Sequence, residues 1–455
     1  MKKKIFSILT TAFTLLCIAC SNDSSSNAVA DDDADGSKTA TTETVNTFET
    51  PGTGTDELEF TATEDYSYEM SSDKAVRSDS YEGDIAPAVP APGMDYEEGY
   101  GDGYWSGESN ERKSGLLTAS EWNDLDNWNS WAATLDSNSY SSMPEYWKIF
   151  PKTLVAVQVV DKNKAALANV SVELLNGSAV EFAAKTDNSG FAYCWISLFK
   201  GSSKDLKKED FSLKVNGVVS KDPVKLTLID DDSLNVNVIT SSAKQAEAAA
   251  DIAFIVDATG SMGDEIDFLK SDLEYIIDHA SSGNDAKLRT AALFYRDESD
   301  VYITRGENFA SDVSTTREYI SKQEANGGGD YPEAVHSALE TALQELSWNE
   351  SARARIAFLI LDAPAHHEGS VIESLQKSIK EFAKNGIKII PVAASGVDKD
   401  TEFMLRFFEL ATGGTYVFIT NDSGIGNDHI DASVGDHEVE KLADLMVRLI
   451  KKYVE

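Results

Sequence analysis

The feature that most constrains this chain is an alternation of short apolar runs with amphipathic stretches, from Asp251 to the C-terminus. Ile356–Leu361 and Ile387–Ala393 are almost unbroken apolar runs, and Val371–Lys384 between them repeats its apolar residues at helical spacing. A strand without polar alternation has to be covered on both faces. Asp251–Val256 has the same character, and Met262–Ala280 after it reads as a helix. Leu288–Tyr295 is a further strand, Arg317–Gln323 and Glu333–Leu346 are helical, Tyr416–Thr420 is a last strand and His437–Tyr453 a closing helix. The pattern predicts an α/β domain over residues 251–455, a doubly wound, mostly parallel sheet with helices on both faces. Such sheets bind ligands outside the carboxyl ends of their strands, so function is expected in the residues that follow each strand.

Upstream the periodicity changes to two. Val155, Val157 and Val159 alternate with less apolar neighbours, as do Val170, Val172 and Leu174, and Thr186-Asp187-Asn188-Ser189-Gly190 signals a tight turn before the next strand. Residues 151–242 are therefore expected to form a β-sandwich. The valine-rich hairpin and its Thr-Asp-x-x-Gly turn resemble carboxypeptidase-regulatory-like and collagen-adhesin B-type sandwiches, which implies a spacer role. Lys164-Ala165-Ala166-Leu167 stands where that family has Gly-x-Pro-Val. Residues 116–150 read as a tryptophan-rich helical segment. Thr118-Ala119-Ser120-Glu121 fits a capping box, and Trp122, Leu125, Trp128, Trp131 and Leu135 follow at helical spacing, a stripe expected to dock on the next domain. Ala243–Ala250, rich in Ala and Glu, reads as a short helical connector.

Residues 21–115 are rich in Ser, Thr, Asp, Glu and Gly and poor in aliphatic side chains. Such a segment buries too little apolar surface to offset the entropy of ordering, and reads as a disordered acidic tether. Residues 1–20 read as an export signal, with Lys2, Lys3 and Lys4 ahead of an apolar stretch too short for a comfortable membrane span. Leu16-Cys17-Ile18-Ala19-Cys20 resembles a bacterial lipobox, with Cys17 where leucine is usual. The resemblance implies lipidation of Cys20, export, and anchoring to the cell envelope, at the outer membrane or cell surface. Cys194 then stays alone in an apolar run and reads as a buried small hydrophobe, so no disulfide framework is expected. A net charge of −37 argues against nucleic acid as a partner, because phosphate backbones require clustered Lys and Arg.

Directly after the buried run Ile252–Val256 stands Asp257-Ala258-Thr259-Gly260-Ser261, followed by a helix. The pentad Asp-x-Ser/Thr-x-Ser in this setting resembles the metal-ion-dependent adhesion site of the von Willebrand factor A family, a Rossmann-like fold, over roughly 251–455. A hard cation such as Mg2+ takes oxygen ligands and keeps several waters, and hydroxyls two residues apart in a loop can offer adjacent oxygens. The resemblance implies Thr259 and Ser261 as ligands, Asp257 acting through water, and further ligands on two later strand-end loops. Asp362, ahead of Ala363-Pro364, is the candidate on one. On the other, Gly327-Gly328-Gly329-Asp330-Tyr331-Pro332-Glu333, Asp330 stands where many relatives have threonine. Two readings of Asp330 stand side by side: a metal ligand, or a helix cap completed by Glu333. Asp297 and His366 are candidates for the rim, His367 reads as solvated, and Asn421–Asp436 as a mobile insertion or weak calcium loop.

The leading expectation is a non-enzymatic, lipid-anchored binding module that uses Mg2+, with Ca2+ and Mn2+ as alternatives, to hold a protein or glycan partner. A structural envelope scaffold with a metal-stabilised loop is the first alternative, and a metal-dependent hydrolase the second. Against the hydrolase, the sequence has no Gly-x-Ser-x-Gly, His-Glu-x-x-His or Gly-x-x-x-x-Gly-Lys motif.

Overall fold

The computed structural model describes residues 47–52, 117–201, 207–423 and 429–455. The export signal, Cys20 and nearly all of the expected tether lie outside the described residues. Within the tether, Thr47–Pro51 forms a strand, β1, and is not loose chain. In chain order follow β2 (Thr118–Trp122), α1 (Trp128–Asp136), α2 (Met143–Trp147), β3 (Thr153–Val160), β4 (Ser171–Asn176), β5 (Ala179–Lys185), β6 (Phe191–Trp195), β7 (Phe211–Val215), β8 (Val218–Val219), β9 (Thr227–Leu228) and β10 (Val236–Thr240). The C-terminal half adds β11 (Glu247–Asp257), α3 (Gly263–Ser281), β12 (Lys287–Tyr295), β13 (Tyr302–Ala310), α4 (Val313–Ser321), α5 (Val335–Gln344), β14 (Ala352–Leu361), α6 (Gly369–Asn385), β15 (Ile387–Ala393), α7 (Lys399–Thr412), β16 (Tyr416–Ile419), β17 (Glu440–Lys441) and α8 (Leu442–Val454).

The apolar runs become the centre of a nine-stranded sheet of order β1-β13-β12-β11-β14-β15-β16-β2-β17. β12, β11, β14, β15 and β16 are parallel, while the outer strands on both sides are antiparallel. Successive residues of β11 enter different cores, as the doubly covered run requires. Ile252, Phe254 and Val256 pack with α3 and α8, whereas Ala253 and Ile255 pack with α5, α6 and α7. Register sets the functional edge: Asp257 lies opposite Tyr295, Val256 opposite Ile360 and Leu361 opposite Ala393. Asp257, Tyr295 and Asp362 are thereby brought to one rim.

Residues 153–240 fold into two four-stranded sheets, one built on β3 with β6, β9 and β10, the other of order β5-β4-β7-β8. Their alternating inner residues, such as Val155, Val157, Val172, Leu174 and Val215, share one apolar core that continues into the α5–α7 face of the large sheet. The tryptophan stripe sits at that junction. Trp128 packs on Trp195 with ring centroids 6.1 Å apart and donates to the Leu228 carbonyl, while Trp131 stacks on Phe403 of α7.

Three expectations are corrected, and one strand, β13, had not been expected. Thr118–Trp122 is the penultimate strand of the sheet and not a capped helix, because pairing with β16 on one side and β17 on the other satisfies its backbone while Ala119 and Ser120 become fully buried. The Ala/Glu stretch from Glu247 extends β11 and is not helical; pairing with β12 and β14 overrides a helix propensity that amounts to well under 1 kcal/mol per residue. β13 carries no apolar pattern of its own, since Thr304, Arg305, Glu307 and Asn308 interrupt the apolar residues of Tyr302–Ala310. Asn421–Asp436 is not free where described: Lys399 and Arg406 bond to its Asp431 and Ser433 carbonyls.

Candidate metal centre

The first loop follows β11. The Thr259 amide and hydroxyl both donate to one Asp257 oxygen, Oδ1, at 2.8 and 2.7 Å, which fixes the carboxylate at the strand end. The Ala258 carbonyl accepts from Arg296 Nε and from the Asn326 amide, tying this loop to its neighbours. Thr259 is buried; Ser261 is exposed, with its hydroxyl in hydrogen-bonding reach of Asp362.

The second loop is shaped by glycine. Gly327 and Gly328 have φ of +82° and +78°, a region side chains rarely adopt. A Cβ on Gly327 would stand 2.1 Å from Asp300 Oδ1, and one on Gly328 would stand 3.1 Å from Glu333 Oε1 and 3.3 Å from Thr259 Cβ. The Gly328 amide donates to Asp300 Oδ2 at 2.9 Å, and the Gly260 amide to the Gly327 carbonyl at 3.2 Å. Asp330 is exposed at the tip of this loop. It does not cap the next helix, because α5 begins at Val335 with Ala334 as its cap residue. The loop delivers Glu333 instead. Its amide donates to the Pro364 carbonyl at 2.9 Å and it bridges to Ala365, which pins it against the third loop.

The third loop carries Asp362 directly beyond β14, and Glu265 of α3 approaches from the side while accepting from the amide and hydroxyl of Ser395. Asp257, Glu265, Glu333 and Asp362 are all buried, and each keeps one oxygen without a hydrogen-bond partner. Their charges act on one another. Burial, reinforced by Asp362, pushes Asp257 up to about 7. Burial, with the charges of Asp257, Asp297, Asp300 and Asp362, pushes Glu333 up to about 10. Burial also raises Glu265 and Asp362, the latter partly offset by the Ser261 hydroxyl. Among the described residues no lysine or arginine side chain bonds to any of the four. Arg296 spends its donors on the carbonyls of Ala258 and Glu324.

A buried group of carboxylates with free oxygens and no basic partner is unfavourable unless protons or a cation neutralise it. Hard oxygen donors of this kind fit a divalent cation such as Mg2+. Among the described residues no three carboxylate, histidine or cysteine side chains are gathered tightly enough to hold an ion by themselves. The hydroxyls of Thr259 and Ser261, and solvent, are thus needed to complete a shell.

At the rim, Asp297 Oδ1 lies 2.6 Å from His366 Nε2. Burial alone would raise Asp297, but the bond and charge of His366 hold it below its ordinary value. Reciprocally, burial opposes a charge on His366, and Asp297 outweighs it and raises the imidazole. His367 turns away, stacking on Tyr146 with centroids 3.5 Å apart. The sequence reading placed Asp257, Thr259, Ser261 and Asp362 at strand ends, where the structure also has them. It gave Glu333 only a capping role and did not single out Glu265 or Tyr295. The sequence signal at Glu333 is only that it follows a flexible run of three glycines, which does not say whether Asp330 or Glu333 turns back to the first loop.

Residues 251–400 match the family model of the von Willebrand factor A domain. The doubly covered parallel sheet agrees with this match, which identifies a von Willebrand factor A domain over residues 251–400. The chain is 31% identical over 133 residues to the putative ariadne-like RING finger protein R811 of Acanthamoeba polyphaga mimivirus, covering 29% of this chain and 13% of that protein. It is 28% identical over 189 residues to the alpha-protein kinase vwkA of Dictyostelium discoideum, covering 38% of this chain and 29% of that protein. The chain thus spans less than a third of the length of either relative. Among solved structures, proximal thread matrix protein 1 from the mussel byssus, with a zinc-occupied MIDAS motif, is 17% identical over 45% of this chain and 46% of its own, with a TM-score of 0.32. A von Willebrand factor type A protein from Catenulispora acidiphila is 15% identical over 67% of this chain and 50% of its own, with a TM-score of 0.33. At such scores neither likeness adds to what the strand order and the family model establish.

Proposed function

We propose that this protein is an envelope lipoprotein that holds a protein or glycan partner through a divalent cation at the strand ends of its von Willebrand factor A domain, and that it catalyses no reaction. The observation that carries this reading is the set of four buried carboxylates, each with an unpartnered oxygen, meeting two loop hydroxyls where no basic side chain neutralises them. Thr259, Ser261 and Asp362 would hold the ion, Asp257 would add charge behind Thr259, and Mg2+ suits the donor set best, with Ca2+ or Mn2+ as substitutes. A bound cation supplies a positive charge able to accept an oxygen from a partner.

The hydrogen bonds near the rim favour holding over turnover. Ser299 Oγ donates to Asp297 at 3.2 Å, and the same carboxylate bonds His366, so serine and imidazole meet the acid rather than each other. His336 Nε2 reaches both Ser337 Oγ and Glu298, which leaves no ring nitrogen arrangement of the nucleophile–base–acid type. The lipid tether rests on the Leu16–Cys20 sequence. No helix among the described residues is long and apolar enough to cross a membrane. The test is capture of envelope components by the full chain with and without chelator. Capture lost on chelation and restored by Mg2+ supports the reading; capture indifferent to chelator leaves only a scaffold.

A further inference from the structure

β13 would be the edge of the large sheet if the chain did not cover it with β1, a strand of five residues from the segment that reads as the tether. β1 runs antiparallel to β13, with Thr47 opposite Glu307, Glu49 opposite Arg305 and Pro51 opposite Tyr302. Of its side chains only Phe48 is half-buried; the others are exposed. The Phe48 ring fills a niche that exists because residue 306 is glycine, since a Cβ there would stand 2.5 Å from Phe48 Cζ. Just beyond the strand, the Gly52 amide donates to the Val301 carbonyl at 3.2 Å. Gly52 lies so close to Asp300 that a Cβ would stand 1.8 Å from the Asp300 carbonyl oxygen.

Asp300 is where this edge meets the metal centre. Its backbone packs on Gly52, while its carboxylate Oδ2 accepts from the Gly328 amide at 2.9 Å and from the Asp297 amide at 3.1 Å. Gly327 has no room to move towards it, and the Gly327 carbonyl accepts from the amide of Gly260, between Thr259 and Ser261. Direct contacts therefore run without a gap from β1 to the hydroxyls of the first loop. Close-packed contacts transmit a displacement instead of absorbing it.

We propose that Thr47–Gly52 is a positioning element of the metal centre. Seated on the β13 edge, it fixes Asp300 and, through Asp300, the glycine loop, so that loss of the strand loosens the loop and weakens the hold on the cation. For the cation this rests on the function proposed above; for the order of the loop it does not. A strand held by one half-buried side chain and its ladder bonds belongs to the least stable part of a fold, which opens locally without global unfolding. A pull on the chain ahead of Thr47, or a competing strand at the β13 edge, therefore acts on the glycine loop before it acts on the core.

The test uses the full chain beside Phe48→Ala, which empties the niche, Gly52→Ala, which forces the strand's end off Asp300, and Phe48→Leu, which refills the niche. Asp124→Ala, which weakens the fold away from the site, is the control. Hydrogen exchange in chelator reads the amides of Asp297 and Gly328, and calorimetric titration reads Mg2+ affinity. Phe48→Ala and Gly52→Ala are each expected to speed exchange at both amides about tenfold or more, while the amide of Val157 in the sandwich core is unchanged. Mg2+ affinity is expected to fall about threefold to tenfold in both. Phe48→Leu should restore most of each loss, and Asp124→Ala should move neither readout. Unchanged exchange at Gly328 in both variants, unchanged Mg2+ affinity where exchange has risen, or an equal response to Asp124→Ala each overturns the proposal. Failure of the native protein to take up any cation overturns the cation-dependent function and the hold inferred from it; the strand's effect on the loop is overturned by the exchange result alone. Phe48 and Gly52 lie at the periphery of the sheet, and Gly52→Ala carries the test if Phe48→Ala does not fold.

Discussion

Replacing Asp257 by asparagine should raise stability without metal and lower it with metal. Asp257 is fully buried, and its ionised form is disfavoured enough to move it from 3.8 to about 7. At 1.36 kcal/mol per pH unit this corresponds to roughly 4 kcal/mol against the charged form above pH 7. Asparagine keeps an oxygen for the Thr259 amide and hydroxyl but places an NH2 where Oδ2 now lacks a partner. A buried unsatisfied donor costs about 1–3 kcal/mol, so the net gain in chelator at pH 8 is roughly 1–3 kcal/mol. For a domain of this size that is on the order of 2–10 °C in Tm. In Mg2+ at about a hundred times Kd, the native protein gains about 2.7 kcal/mol from binding, and the variant should gain far less. Thermal unfolding followed by calorimetry, with chelator and with Mg2+, reads both. The signature is a change of sign: variant more stable without metal, native protein equal or ahead with it. A variant less stable in both conditions would refute the reasoning and make Asp257 a purely structural acid.

The pH dependence has a definite sign. The raised Asp257 and Glu333 bind more protons folded than unfolded, so their contribution is fully present below their unfolded values near 4. It is lost as pH rises through about 7 and then about 10. Chelator-treated protein should therefore lose stability from pH 5 to pH 8, and saturating Mg2+ should flatten that slope; a slope unaffected by metal in equilibrium urea unfolding would contradict the assignment. Gly327→Ala should destabilise the protein by about 1–3 kcal/mol or more, from a positive φ and a Cβ placed 2.1 Å from Asp300, and should weaken Mg2+ binding in a calorimetric titration. Away from the site, Asp124 and Arg406 form a fully buried pair, so Asp124→Ala should lower stability by about 3–5 kcal/mol in urea unfolding while leaving Mg2+ affinity unchanged.

The legible parts of the fold were those whose burial left a strong period. Doubly covered strands such as Ile387–Ala393 cannot be mistaken for surface, and α6, with Val371, Leu375, Ile379 and Phe382 buried, shows its stripe in sequence. Edge strands were not legible, because one side of the ladder faces solvent and sequence neighbours say nothing about a distant pairing. Thr47–Pro51 is mostly exposed, and its place is fixed by pairing with β13 and by Phe48, whose ring occupies the gap left by Gly306. Thr118–Trp122 mimicked a helix cap because its partner, β16, lies some 300 residues downstream. At the site, Asp257, Thr259 and Ser261 could be placed because adjacency in sequence fixes them at one strand end. Asp330 and Glu333 could not be ordered by proximity to the centre, since that depends on the path of three consecutive glycines.

The most direct measurement is anomalous scattering from crystals of the protein grown with Mn2+. The account requires one peak between the first and third loops, roughly 2 Å from the hydroxyls of Thr259 and Ser261 and within a water's reach of Asp257 and Asp362. A map with no peak there, or with its peak at His336 and His366, would contradict it.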